Sequence, residues 1–124
     1  MRSRNVVESF GHAFAGLWYA LRSERNTRIH LVIAIAAIAL GLWLGLGTTE
    51  WAVIALTIGL VLTCEMINTV TETLVDLVSP DYHPLAKVIK DLTAGAVLVT
   101  AITAVVVGLL ILGPPLWVRL LAGS

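Results

Sequence analysis

The sequence predicts an all-α membrane protein with an N-terminal amphipathic helix on the membrane surface, followed by three transmembrane helices. Three observations predict it. Of the 124 residues, 58% are apolar and only 13% are charged, about half the charged share of a soluble domain. The apolar residues fall into three long runs, and an amphipathic stretch precedes the first. A chain this short could not hide so much Leu, Val, Ile and Ala from water by itself. One domain spanning residues 1–124 is therefore expected, with the bilayer as its solvent.

The surface helix is expected over about residues 4–28. Val6, Phe10, Phe14, Leu17 and Leu21 recur at helical spacing, while Arg4, Glu8 and Arg22 lie elsewhere on the wheel. That pattern suits a helix lying in the interface with its apolar face down. A cleaved leader is not expected, because Met1–Arg28 lacks a continuous apolar stretch and a small-residue cleavage site.

The first crossing is placed at about 31–48. Leu31–Thr49 is 19 residues without a charge, close to the ~20 that span a hydrocarbon core. Glu50 interrupts, and Trp51–Cys64 resumes the apolar pattern. The second crossing, about 51–76, carries Glu65, Glu72 and Asp76 before Ser79-Pro80. The third, about 90–112, opens with Lys90 and Asp91 and continues in the uncharged run Leu92–Val118, with Gly113-Pro114-Pro115 as its expected stop.

Orientation follows from the basic residues of the short connections. Arg2, Arg4, Arg22, Arg25 and Arg28 precede the first crossing, and Lys87 and Lys90 lie between the second and third. The turn near Gly47–Glu50 has none, and the tail has only Arg119. The N-terminus and the second connection are therefore expected on the cytoplasmic side of the inner (plasma) membrane. Trp43, Trp51 and Trp117 sit toward the opposite face, where aromatic belts form.

Net charge is zero, so nothing global points to a nucleic-acid partner. Cys64 is the sole cysteine, which excludes an internal disulfide and a cysteine metal cluster, and it is assigned to packing. Gly41, Gly45, Gly59, Gly95 and Gly108 would permit close helix contacts.

The second crossing carries the chemistry. At about 100° per residue, Glu65, Asn68, Glu72 and Asp76 fall within roughly 80° of one helix face. An ionisable group in a membrane span is costly and marks a functional site by default. Glu65 alone could pair with a cation on a neighbouring helix and only fix assembly, or line an ion path. Four polar groups in register make a site the better reading. Glu24, Lys90 and Asp91 gather at the same membrane level. Carboxylates beside a lysine suit ATP with Mg²⁺, which is commonly held by one or two carboxylates plus phosphate oxygens. Phosphoryl transfer then needs alignment, charge neutralisation and a base beside the attacking hydroxyl. A Walker glycine-rich loop and a soluble-kinase catalytic loop are absent from the sequence.

These residues resemble the prokaryotic diacylglycerol kinase family, especially its undecaprenol kinase branch. The resemblance lies in Glu24-Arg-Asn-Thr-Arg28-Ile-His30, in Glu65-x-x-Asn68-x-x-x-Glu72-x-x-x-Asp76, in Ser79-Pro-Asp-Tyr82-His83-Pro-Leu-Ala-Lys87, and in Lys90-Asp91 with Ala94-Gly95-Ala96. It spans nearly the whole chain.

The resemblance implies a homotrimer with composite sites between subunits, using ATP and Mg²⁺ to phosphorylate a membrane lipid alcohol. It implies Glu65 as the general base, Glu24 and Glu72 as magnesium ligands and nucleotide contacts, and Asn68 as a residue ordering Glu65 and the lipid. Asp81, Tyr82, His83, Lys90 and Asp91 would lie along the nucleotide, and Asn26, Arg28 and His30 would border the lipid entrance. The chain departs from the family pattern at Val70 and Thr71, where Ala-Ile is usual. It departs again at Asn5 and His12, which stand where the diacylglycerol branch has Arg and Tyr, with Arg4 one residue away.

His30, apart from its place in the motif, is expected to be a polar cap or anchor at a helix start rather than a proton shuttle. His12 is expected at the interface, Met66 and Trp18 in packing and anchoring, and Thr69, Thr71 and Thr73 bonded to preceding carbonyls of their own helix. The leading acceptor is undecaprenol, giving undecaprenyl phosphate, and the alternative is diacylglycerol, giving phosphatidic acid. A reading of another class, a small oligomeric ion channel or transporter, accounts for Glu65 and Glu72 but leaves Glu24, Lys90 and Asp91 without a shared purpose.

Overall fold

The computed structural model describes residues 5–123, so Arg2 and Arg4 lie outside the described residues. Four helices follow in order: α1 Val6–Ser23, α2 Arg25–Leu44, α3 Thr48–Val78 and α4 Pro84–Ala122. The last three are each long and apolar enough to cross a membrane. With α1 they make the expected all-α arrangement.

Helix α1 starts where Asn5 caps it, its Oδ1 accepting from the Glu8 amide at 2.9 Å. Glu8 in the first turn and Arg22 in the last both complement the helix dipole. Val6, Phe10, Phe14 and Trp18 are exposed, and Ala20 is the buried residue of this helix. The apolar stripe therefore faces away from the three long helices.

The α1–α2 joint differs from the expectation of one helix over about 4–28. The break falls at Glu24, which is extended (φ −116°, ψ 117°). Asn26 and Arg28 consequently belong, with His30, to the first turns of the first membrane helix rather than to the end of the surface helix. No glycine or proline marks this break. Arg28 stabilises it instead: its Nη1 donates to the carbonyls of Leu21 and Arg22, at 3.0 Å each, satisfying acceptors left free at the end of α1.

Helix α2 ends at Gly45, whose left-handed φ of 71° suits glycine. Glu50 reaches back so that its Oε1 accepts from the Gly47 amide at 3.1 Å, which explains a carboxylate at the start of α3. At this end Trp51 lies so close to Gly41 that a Cβ there would stand 2.7 Å from the indole. Arg119 closes the same end from α4, donating to the Trp43 carbonyl at 2.7 Å and stacking 4.6 Å above its ring.

The expected stop at Gly113-Pro114-Pro115 does not occur. Helix α4 runs through Pro114 and Pro115 to Ala122. Each proline removes one amide donor from the helix ladder. Membrane helices tolerate such breaks where neighbours compensate. Here the continuation carries Arg119 to Trp43, a contact a helix ending at residue 112 would lose.

The most extensive contact is between α3 and α4. With 31 and 39 residues, these helices are about 46 and 58 Å long, against a hydrocarbon core of about 30 Å. Their ends project beyond it. The buried apolar side chains are only Ala20, Ala34, Ile54, Val61 and Val75, among the described residues. Most Leu, Ile and Val side chains point outward, as lipid or a neighbouring copy as solvent requires.

Candidate active site

Thr27, Ala34 and Gly41, spaced by seven, form the buried face of α2. Small residues there let the helix approach α3 closely. The facing side of α3 buries Ile54, Val61, Glu65 and Thr69. Glu65 is 1% exposed, the most enclosed large side chain among the described residues.

His30 on α2 meets Glu65 on α3, with Nε2 3.1 Å from Oε1. The two are close but not aligned as a hydrogen bond, so Oε1 remains without a hydrogen-bond partner. Thr27 Oγ1 and Asn68 Oδ1 are likewise buried and unpartnered. With Glu65 Oε1, Thr27 one turn before His30 and Asn68 one turn beyond Glu65 give three buried oxygens without a partner, which is unusual, because an unpaired buried polar group costs free energy. Such a site is suited to a ligand that brings a hydroxyl.

Glu24 and Glu72 are half-buried, and the charges of both are felt at Glu65. The Glu24 side chain makes no cap hydrogen bond to α2, which leaves its carboxylate free. No group of three or more His, Cys, Asp or Glu side chains among the described residues is arranged to hold a metal alone. Two free carboxylates still fit Mg²⁺, whose remaining ligands are ordinarily phosphate oxygens and water.

Farther along α3, Asp76 is exposed and pairs with Lys90 of α4, Nζ lying 2.7 Å from Oδ1. Lys87 pairs with Asp91 at 2.6 Å. A cavity of about 310 Å³ is lined by Asp76, Asp81, Tyr82, His83, Lys90 and Asp91 with their neighbours. His83 also caps α4, its Nδ1 accepting from the Leu85 amide at 3.1 Å. Five of the residues expected along a nucleotide thus share one hollow. Glu24 and Glu72 do not line it; Glu72 lies between, its charge reaching both Glu65 and Lys90.

Asn26 is exposed at the start of α2, and the Nη1 of Arg28 is engaged by the end of α1. Thr69, Thr71 and Thr73 bond to the carbonyls of Glu65, Ile67 and Thr69, as expected. The reading of His30 as a cap or anchor is corrected: it is the cross-helix neighbour of the buried acid. Thr27 stands inside the Glu24–His30 motif, and its seven-residue spacing with Ala34 and Gly41 is the signal of its burial.

Similarity to known proteins identifies the family. The family described as prokaryotic diacylglycerol kinase matches residues 11–112. A protein of Synechocystis sp. named diacylglycerol kinase is 48% identical over 113 residues, which cover 90% of this chain and 65% of that protein. The chain thus spans somewhat less than two thirds of that relative's length. A Bacillus subtilis protein named undecaprenol kinase is 43% identical over 109 residues, 88% of this chain and 89% of its own length. An Escherichia coli protein named diacylglycerol kinase is 28% identical over 101 residues, covering 82% of this chain and 83% of itself. The chain belongs to the prokaryotic diacylglycerol kinase family, a family of membrane lipid kinases.

Proposed function

We propose that this protein transfers the γ-phosphoryl group of ATP, with Mg²⁺, to the hydroxyl of a membrane lipid, undecaprenol being the preferred acceptor. The observation that carries the reading is Glu65, 1% exposed inside a membrane helix, with an unpartnered carboxylate oxygen. A carboxylate so placed is costly unless it meets a ligand.

Glu65 accepts the proton of the lipid hydroxyl as its oxygen attacks the γ-phosphorus, and the bond from that phosphorus to the bridging oxygen breaks to release ADP. Asn68, one turn away with Oδ1 unpartnered, orders the acceptor beside it. Glu24 and Glu72 supply the carboxylate oxygens that hold magnesium. When bound, the metal neutralises and aligns the phosphate oxygens. Lys90 stabilises phosphate charge, and Asp81, Tyr82, His83 and Asp91 border the nucleotide in the hollow they share. Asn26, Arg28 and His30 edge the lipid entrance.

In this reading α1 lies on the cytoplasmic surface of the inner membrane, its exposed Phe10, Phe14 and Trp18 in lipid. The outward apolar faces of the long helices suit a homotrimer that completes each site between subunits. Diacylglycerol is the second acceptor, favoured by the name of the Synechocystis relative. Ion conduction would use the acids of α3 but leaves the hollow around Lys90 without a role.

The test is phosphoryl transfer in mixed micelles, with labelled Mg·ATP and each alcohol offered separately. Faster labelling of undecaprenol is expected, with loss of labelling in Glu65→Gln. Labelling of neither alcohol, alongside ion flux through liposomes, sinks the proposal.

A further inference from the structure

We infer that His30 is a positioning residue for phosphoryl transfer, holding the Glu65 carboxylate in the orientation that receives the lipid hydroxyl. The inference rests on the lipid-kinase reading and adds to it a residue acting through Glu65.

Contact geometry is the first argument. His30 Nε2 stands 3.1 Å from Glu65 Oε1 across the α2–α3 interface. Among the described residues, neither side chain has another hydrogen bond or ion pair. The second argument is the surroundings of the ring. His30 borders an apolar hollow of about 90 Å³, lined also by Ala34, Ile58, Val61 and Gly108. The other polar residue of its lining, Thr57, spends its hydroxyl on the Val53 carbonyl at 2.7 Å, and the residues that α4 contributes carry no charge. Glu24 at the α1–α2 joint and Glu72 on α3 are the nearby acids, and both would repel a Glu65 carboxylate. The His30 imidazole is the side chain that stands within contact distance of it.

Third, the exposures are unequal: the imidazole is 21% exposed and the Glu65 side chain 2%. The ring is therefore the more accessible member of the pair. A glutamate side chain with free torsions has many orientations, and misplacing a reacting group by about 1 Å costs roughly 100-fold in rate. A ring fixed to a different helix removes that freedom. Because the contact is not an aligned hydrogen bond, Oε1 remains available to the incoming hydroxyl.

The experiment compares His30→Leu and His30→Gln in the full chain, reconstituted in bilayers. Glutamine places an amide nitrogen near the position of Nε2; leucine fills the space without a polar atom. Leucine is expected to lower kcat about 100-fold, with KM for Mg·ATP held within about twofold. Glutamine is expected to recover kcat to within about tenfold of the wild type. Wild-type kcat in His30→Leu overturns the inference, as does equal damage by both substitutions, because a proton carrier or a packing role would not be rescued by an amide. Should the leucine variant fail to assemble, the glutamine variant decides alone: kcat within about tenfold supports the inference, and a greater loss overturns it.

A measurement independent of turnover accompanies these. In protein labelled with ¹⁵N-histidine, Glu65→Gln should shift the ring resonances of His30 and leave His12 and His83 unmoved. An unmoved His30 removes the contact and the inference with it. A wild type that phosphorylates neither lipid while His30 still responds to Glu65→Gln defeats the lipid-kinase reading and, with it, the positioning role, leaving a structural pair.

Discussion

Lys90 at the foot of α4 reaches Asp76 near the end of α3, its Nζ 2.7 Å from Oδ1, and the pair flanks the loop bearing Asp81, Tyr82 and His83. Both side chains are well exposed, and exposed ion pairs contribute little to stability. Asp76→Asn is therefore expected to leave the thermal unfolding midpoint nearly unchanged. Lys90→Met is expected to raise KM for ATP by about tenfold, through loss of a charge-assisted phosphate contact. ATP titrations at saturating lipid check it; unchanged KM in Lys90→Met separates this hollow from the nucleotide.

Glu65→Gln tests the buried acid from the side of stability as well as rate. Removing a general base is expected to lower kcat by about 10²–10⁴-fold. The amide is cheaper to bury in a membrane helix than a carboxylate, so the unfolding midpoint should stay level or rise. A folded, stable variant with wild-type kcat would falsify the base assignment.

Magnesium dependence should follow Glu24 and Glu72. Chelation with EDTA is expected to stop transfer reversibly. Glu72→Gln is expected to raise the Mg²⁺ concentration for half-maximal rate by about tenfold or more. An unaltered magnesium requirement in both Glu24→Gln and Glu72→Gln would place the metal elsewhere.

At the other end of the bundle, Gly41→Ala should destabilise without touching the chemistry. The new Cβ would meet the Trp51 ring at 2.7 Å and the Leu46 side chain at 3.0 Å. Overpacking of this kind costs about 1–3 kcal/mol. A lowered unfolding midpoint in detergent, with unchanged KM for ATP and lipid, is the expected outcome.

The crossings were legible because apolar runs of membrane length have few other uses, and the α3 stripe because helical period places Glu65, Asn68 and Glu72 together. The break at Glu24 was not, since Ser23-Glu24-Arg25-Asn26 contains no helix breaker; Arg28 makes it by engaging carbonyls six and seven residues back. Pro114 and Pro115 misled in the opposite direction. Local chemistry favours a stop there, and the contact of Arg119 with Trp43 favours continuation.

By itself, the sequence determined the solvent of this protein, the number of its long helices and the face of α3 that carries its acids, because hydropathy and helical period act over neighbouring residues. Only the tertiary structure decided what Glu65 meets. Residues 30 and 65 lie on different helices, and no local pattern relates them. It took the close approach of α2 to α3, through Thr27, Ala34 and Gly41, to set an imidazole against the buried acid.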